Sequence, residues 1–244
     1  MVKRMDTQGI IGFFDGMSMD AASRLYLKYH ANRFSFLLGL LEDCIGTMAG
    51  GMCESCLDVG PNYLTVLLRE CGIARRIDSI GFHDDRFPLR ACDAHFEFDL
   101  RNAAEQAMCP RIGPYDLVVM AEVIEHLPVF LPVIFAFLTS LVKPGGHLVV
   151  QTPNACSLSK RMSFLMGRNP FDLIRDDRVN PGHFREYTIR ELTDHGVSAG
   201  FKVRRALTRN YFSGERLRSK ALARVSPLLP ASLRNGITLL FVRE

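Results

Sequence analysis

The chain has no long uninterrupted apolar run, no regular cysteine framework, no internal repeat, no low-complexity tract and no large net charge. Its longest apolar stretch, Leu127 to Val142, is broken by Pro128, Pro132, Thr139 and Ser140. That is too short to span a bilayer, so it reads as a buried helix beginning near Pro132. The seven cysteines, at 44, 53, 56, 71, 92, 109 and 156, are odd in number and scattered, which argues against a disulfide scaffold and for a reducing, cytoplasmic setting. Cys53 and Cys56 form a lone C-x-x-C with no second pair to complete a zinc site. The opening Met-Val-Lys-Arg-Met-Asp-Thr-Gln lacks the apolar core of a signal peptide, and export is not expected. A net charge of +4 excludes a bulk polyelectrolyte.

What is present is enough for a full core: 244 residues, 48% of them hydrophobic. From about Asp20 to Ile45, apolar side chains recur at three- and four-residue spacing and predict one or two helices, ended by the glycines of Gly46 to Gly51. Beyond them the pattern alternates. Strands are predicted at Ser55–Gly60, Ile77–Phe82, His95–Asp99, Asp116–Ala121, His147–Thr152, Phe201–Leu207 and Ile237–Val242, with helices near Leu64–Cys71, Asn102–Met108 and Pro132–Leu141. Such alternation implies an α/β fold, a mostly parallel sheet with helices on both faces. The last two strands lack a helix of the core type between them, which predicts antiparallel pairing at the sheet edge.

The chemistry converges on Glu122, Glu125 and His126, directly after the strand Asp116–Ala121. If the backbone turns helical at Glu122, positions i, i+3 and i+4 share one face and reach one crevice at the strand's carboxyl end, where open α/β sheets place their sites. His183, in Asn180-Pro-Gly-His-Phe-Arg-Glu-Tyr187, sits in a loop that the Pro-Gly pair can bend back over the sheet. Two Glu and two His make a divalent-metal site; the competing reading is a helix start with favourable Glu and an ordinary loop histidine.

Together these segments resemble a class I S-adenosylmethionine-dependent methyltransferase from about Cys53 to Glu244. The resemblance implies a Rossmann-like seven-stranded sheet with one antiparallel edge strand. It makes residues 1–50 an N-terminal helical cap and 51–244 the methyltransferase domain, with insertions near 155–187 and 210–235. The glycine-rich first-strand motif corresponds to Asp58-Val-Gly60-Pro-Asn62, where only Gly60 of the usual glycines stands and Asn62 is expected to take a left-handed backbone for the second turn. The ribose-binding acid falls at His83 or, shifted by one, at Asp84; Asp99 and Leu100 match the adenine segment, and Ala121 and Glu122 complete the cofactor set.

Glu122-Val-Ile-Glu125-His126, with the later His183, is similar to metal-dependent O-methyltransferases of the ubiquinone-pathway and small-RNA 2′-O-methylating branches. That likeness implies a metal held by Glu122, Glu125, His126 and His183 (magnesium, manganese, iron or zinc), with Glu125 and His126 as catalytic residues. The implied acceptor is a hydroxyl of a sugar, glycan, polyol or phenol. RNA ribose is the alternative, disfavoured by the lack of a basic-aromatic patch, and an inactive scaffold is a second. From Lys202 to Arg224 eight cations face only Glu215, which predicts a basic surface for a phosphorylated acceptor or an anionic membrane, with the protein cytoplasmic or peripheral on the inner membrane surface.

Overall fold

The strands Ser55–Val59 (β1), Arg76–Gly81 (β2), Ala94–Glu97 (β3), Tyr115–Ala121 (β4), Val142–Pro153 (β5), Phe201–Arg209 (β6) and Gly236–Arg243 (β7) form one sheet in the order β3-β2-β1-β4-β5-β7-β6. This is a computed structural model that describes residues 2–83, 91–177, 181–211 and 230–244. The strands from β3 across to β5 run parallel, while β7 pairs antiparallel with both β5 and β6. The sheet is thus Rossmann-like, mostly parallel, with the reversed pairing at one edge. β7 is the reversed strand, and β6 lies outside it. Edge strand β6 exposes Lys202, Arg204, Arg205 and Arg209, charges that discourage pairing with another sheet.

The helices are Thr7–Asp15 (α1), Ala21–Ile45 (α2), Tyr63–Glu70 (α3), Leu131–Leu141 (α4), Leu158–Leu165 (α5) and Ile189–Ser198 (α6). Asp6 and Asp20 cap α1 and α2 by accepting from Gly9 N and Ser23 N, which fixes where each helix starts. α2 is a single helix of 25 residues. The helix predicted at Asn102–Met108 does not form: Leu100–Asn102 is one 3-10 turn, and turns follow. This segment has no apolar face to bury, with Met108 exposed, and local propensity alone does not sustain so short a helix.

Each sheet face carries its own core. Ile10 and Phe14 of α1, Leu27, Phe34, Leu37 and Leu41 of α2 and Leu64 and Leu67 of α3 pack with Cys56, Leu117, Val119 and Val149 of the sheet. On the other face Ile134, Phe135 and Leu138 of α4 and Leu192 of α6 pack with Leu57, Val118, Val150 and Phe241. Each such buried side chain contributes about 1.5–3 kcal/mol. The N-terminal helices are therefore a layer of the core, and Arg33 of α2 reaches Gln151 of β5. No helix among the described residues is long and apolar enough to cross a membrane.

Candidate active site

The parallel strands end side by side, so the turns after β1, β2, β4 and β5 open on one crevice. Gly60, after β1, has φ +81 and donates its N–H to Ile80 O. A Cβ there would stand 2.5 Å from Val123 Cγ2, so the glycine lets the β1 turn close on the segment after β4. Asn62 does not take the expected left-handed backbone. It is extended, at φ −158, and is the N-cap of α3, accepting from Leu64 N and donating Nδ2 to Gly60 O, while Thr65 Oγ1 accepts from its N–H. The second glycine's job is replaced by a cap. Gly60→Ala is expected to lower the melting temperature and weaken cofactor binding, and adding Val123→Ala should recover part of both; the strain from φ would remain. A double variant no better than the single one would show that Val123 is not the obstacle.

The expected helical turn at Glu122 is also absent. Glu122 takes a left-handed φ of +59, and the chain then makes a 3-10 turn at Ile124–His126. The strained residue swings the following turn so that Glu125 is fully buried, while its neighbour His126 stays half open to the crevice. Glu125, His126 and His183 each place one ligand atom within 4.8 Å of the others. Glu122 is not in that set, although Glu125's charge acts on it and its own Oε1 is buried without a partner. Thr152 Oγ1 donates to Glu125 Oε2 at 2.9 Å, leaving Oε1 without a hydrogen bond and 3.9 Å from His126 Nε2.

The two imidazoles are oriented in the same way. His126 Nδ1 lies 2.8 Å from Gly182 O, and His183 Nδ1 lies 3.0 Å from Glu186 Oε1. Carbonyl and carboxylate oxygens only accept, so each Nδ1 carries a proton, and it is Nε2 that holds the lone pair in the neutral ring. Burial, then the adjacent His126, lowers the His183 pKa to about 4, so its ring is neutral at ordinary pH. The loop bearing His183 is latched in place, with Arg185 N donating to Glu125 O and Tyr187 bridging to Asn154.

Arg33 of α2 was not singled out by sequence, yet it is completely buried beside this cluster. Its Nη1 donates to Gln151 Oε1 at 2.9 Å and its Nε to His30 Nδ1 at 3.1 Å, while Nη2 has no partner. Three buried carboxylates sense its charge: Asp58, Glu122 and Glu125. Burial raises the pKa of Asp58 to about 7, and Thr65 Oγ1 donates to its Oδ2 while Oδ1 is unpaired. Burial also raises Glu122 and Glu125, with Glu125 repelling Glu122 in addition. A buried guanidinium and carboxylates with unpartnered oxygens, gathered at the carboxyl ends of β1 and β4, are suited to an ionic ligand.

The remaining predicted residues divide. His83 donates its backbone N–H to Glu97 Oε2 at the end of β2, and its ring lies near that of His95. Asp84 lies outside the described residues. Asp99 caps the 3-10 turn and is gripped by Arg101, Leu100 is buried, and Ala121 closes β4. Of the basic stretch, Arg205 pairs with Asp43 and Arg209 lies over the Phe36 ring, while residues 212–224 are outside the described part.

Residues 30–206 match the methyltransferase-domain family. A probable S-adenosylmethionine-dependent methyltransferase of Mycolicibacterium smegmatis is 33% identical over 135 residues, 54% of this chain and 45% of that protein, so the match spans less than half of that relative. Among solved structures, a SAM-dependent methyltransferase from Archaeoglobus fulgidus superposes with TM-score 0.55 at 16% identity, covering 90% of this chain and 99% of the other. The N-methyltransferase NodS of Bradyrhizobium japonicum, solved with S-adenosylhomocysteine, gives 0.52 at 13%, covering 98% and 99%. The methyltransferase domain of bacterial CtHen1 gives 0.52 at 17%, covering 88% and 99%. These likenesses fix the fold, and the family match covers the crevice from Arg33 to His183: the chain belongs to the methyltransferase-domain family, with the class I S-adenosylmethionine-dependent fold.

Proposed function

We propose that the protein transfers the methyl group of S-adenosylmethionine to a hydroxyl oxygen of an acceptor with two neighbouring oxygens, such as a sugar, glycan end, polyol or catechol, with a divalent cation at Glu125, His126 and His183. The observation that carries this reading is that three ligand atoms from two distant segments lie within 4.8 Å, with both imidazoles turned so that Nε2 is left for a cation. The donor's amino acid end fits the buried ionic groups: Arg33 Nη2 would pair with its carboxylate, Asp58 Oδ1 with its ammonium, and the Gly60 turn would let backbone approach. Glu122, beside the set, is the reserve ligand.

Carboxylate with imidazole suits manganese, iron or zinc better than magnesium. Bound there, such a cation would acidify an acceptor hydroxyl and fix its direction. The chain's own contribution is positional. Thr152 holds one Glu125 oxygen so that the other faces the cluster, and Gly182 O keeps His126 in the tautomer that accepts at Nε2.

The test is a transfer assay with labelled S-adenosylmethionine on paired acceptors, catechol against phenol and a cis-diol against its monodeoxy analogue. Only the vicinal members are expected to turn over at a measurable rate. Equal methylation of isolated hydroxyls, or of amines alone, would overturn the two-oxygen reading.

A further inference from the structure

Glu186 is almost wholly buried, at 4% side-chain exposure, in the loop that carries His183. One carboxylate oxygen faces His183 Nδ1 at 3.0 Å; the other forms a close ion pair with Lys160. Lys160 itself is 15% exposed, comes from α5 and also donates to Asn154 O at the end of β5, at 3.1 Å. The contacts form one chain from β5 and α5 through Lys160 and Glu186 to His183. A buried carboxylate needs a compensating cation, and among the described residues that is Lys160. The carboxylate in turn admits only one tautomer of His183, because it cannot donate.

The arrangement differs from that of His126, whose Nδ1 is held by a backbone carbonyl that no substitution removes. We infer that Glu186, anchored by Lys160, is the positioning residue of His183: it fixes the Nδ1–H tautomer and aims Nε2 at Glu125 and His126, and so sets the cation affinity of the cluster. The inference rests on the metal reading for its affinity consequence but not for the tautomer, and so the two can fail separately.

The experiment has two readouts on the full chain without added metal and then with manganese. Long-range proton–nitrogen NMR of the metal-free protein is expected to show His126 and His183 both as Nδ1–H. In Glu186→Ala, His183 should lose that fixed tautomer while His126 keeps it. Calorimetric titration with manganese is then expected to show an affinity loss of about 10–100-fold for Glu186→Ala, with Glu186→Gln retaining most of it because its amide oxygen still accepts from Nδ1–H. Lys160→Met serves as the second variant and should weaken manganese binding in the same direction, with S-adenosylhomocysteine affinity as the check that the fold is intact. An Nε2–H His183 in the wild-type protein, or unchanged tautomer in Glu186→Ala, overturns the inference. So does manganese affinity equal in wild type and Glu186→Ala. A wild-type protein that keeps the Nδ1–H tautomer but binds no divalent cation overturns the metal reading instead.

Discussion

His183→Ala is expected to lower turnover by about 100-fold or more while leaving S-adenosylhomocysteine affinity nearly unchanged, because the proposed cation would act on the acceptor and not on the donor. The imidazole is one of three groups within 4.8 Å, so its loss leaves only two of them, one carboxylate and one histidine, to hold a cation. Exhaustive chelation of the wild-type protein should produce a loss of the same size, reversed by manganese or zinc in the wild type and not in the variant. Full methyl transfer after chelation, or in His183→Ala, would remove the metal and leave His126 as general base.

Replacing Arg33 by Met should have the opposite signature. Here the expected result is a weakening of S-adenosylhomocysteine binding by about 100-fold, corresponding to the ~3 kcal/mol lost when one member of a buried charge group is removed. Manganese binding at the histidines should change far less. Arg33→Lys should recover only part of the loss, since an ammonium cannot span Gln151, His30 and a ligand carboxylate as a planar guanidinium does. Calorimetry on both variants, with circular dichroism to confirm folding, decides it. Wild-type cofactor affinity in Arg33→Met would show that the buried guanidinium is structural only.

The strands were legible because burial on both faces forces continuous apolar runs such as Leu117–Ala121, and the last two strands betray their reversed pairing by lacking a crossover helix. Glu125, His126 and His183 stood out as residue types, two directly after a strand and one in a loop, and the structure brings one atom of each within 4.8 Å. Their geometry was not legible. The helical turn expected at Glu122 assumes a right-handed backbone, whereas Glu122 stands left-handed with its N–H donated to Gln151 O in continuation of the β4–β5 ladder. Asn62 was likewise legible as a turn residue but not as a cap, because that depends on Thr65 answering it. Arg33, Lys160 and Glu186 carry no local signal: Arg33 finds Gln151 118 residues away, and Lys160 finds Glu186 26 residues away. A charged residue on a helix reads as solvent-facing until the tertiary fold buries it.

The sheet order has a consequence for biosynthesis. β6 precedes β7 in the chain, yet among the described residues its ladder is made with β7 alone, and β7 also completes β5. While the nascent chain emerges, the strands β1 to β5 can pair in order of appearance, but Phe201–Arg209 has no partner until Gly236–Arg243 has left the ribosome. For that interval the chain carries an open strand edge on each side of the gap, the condition under which strands join to those of other molecules. The lysine and arginines along β6 are then most useful before the protein is finished, repelling like strands during the wait.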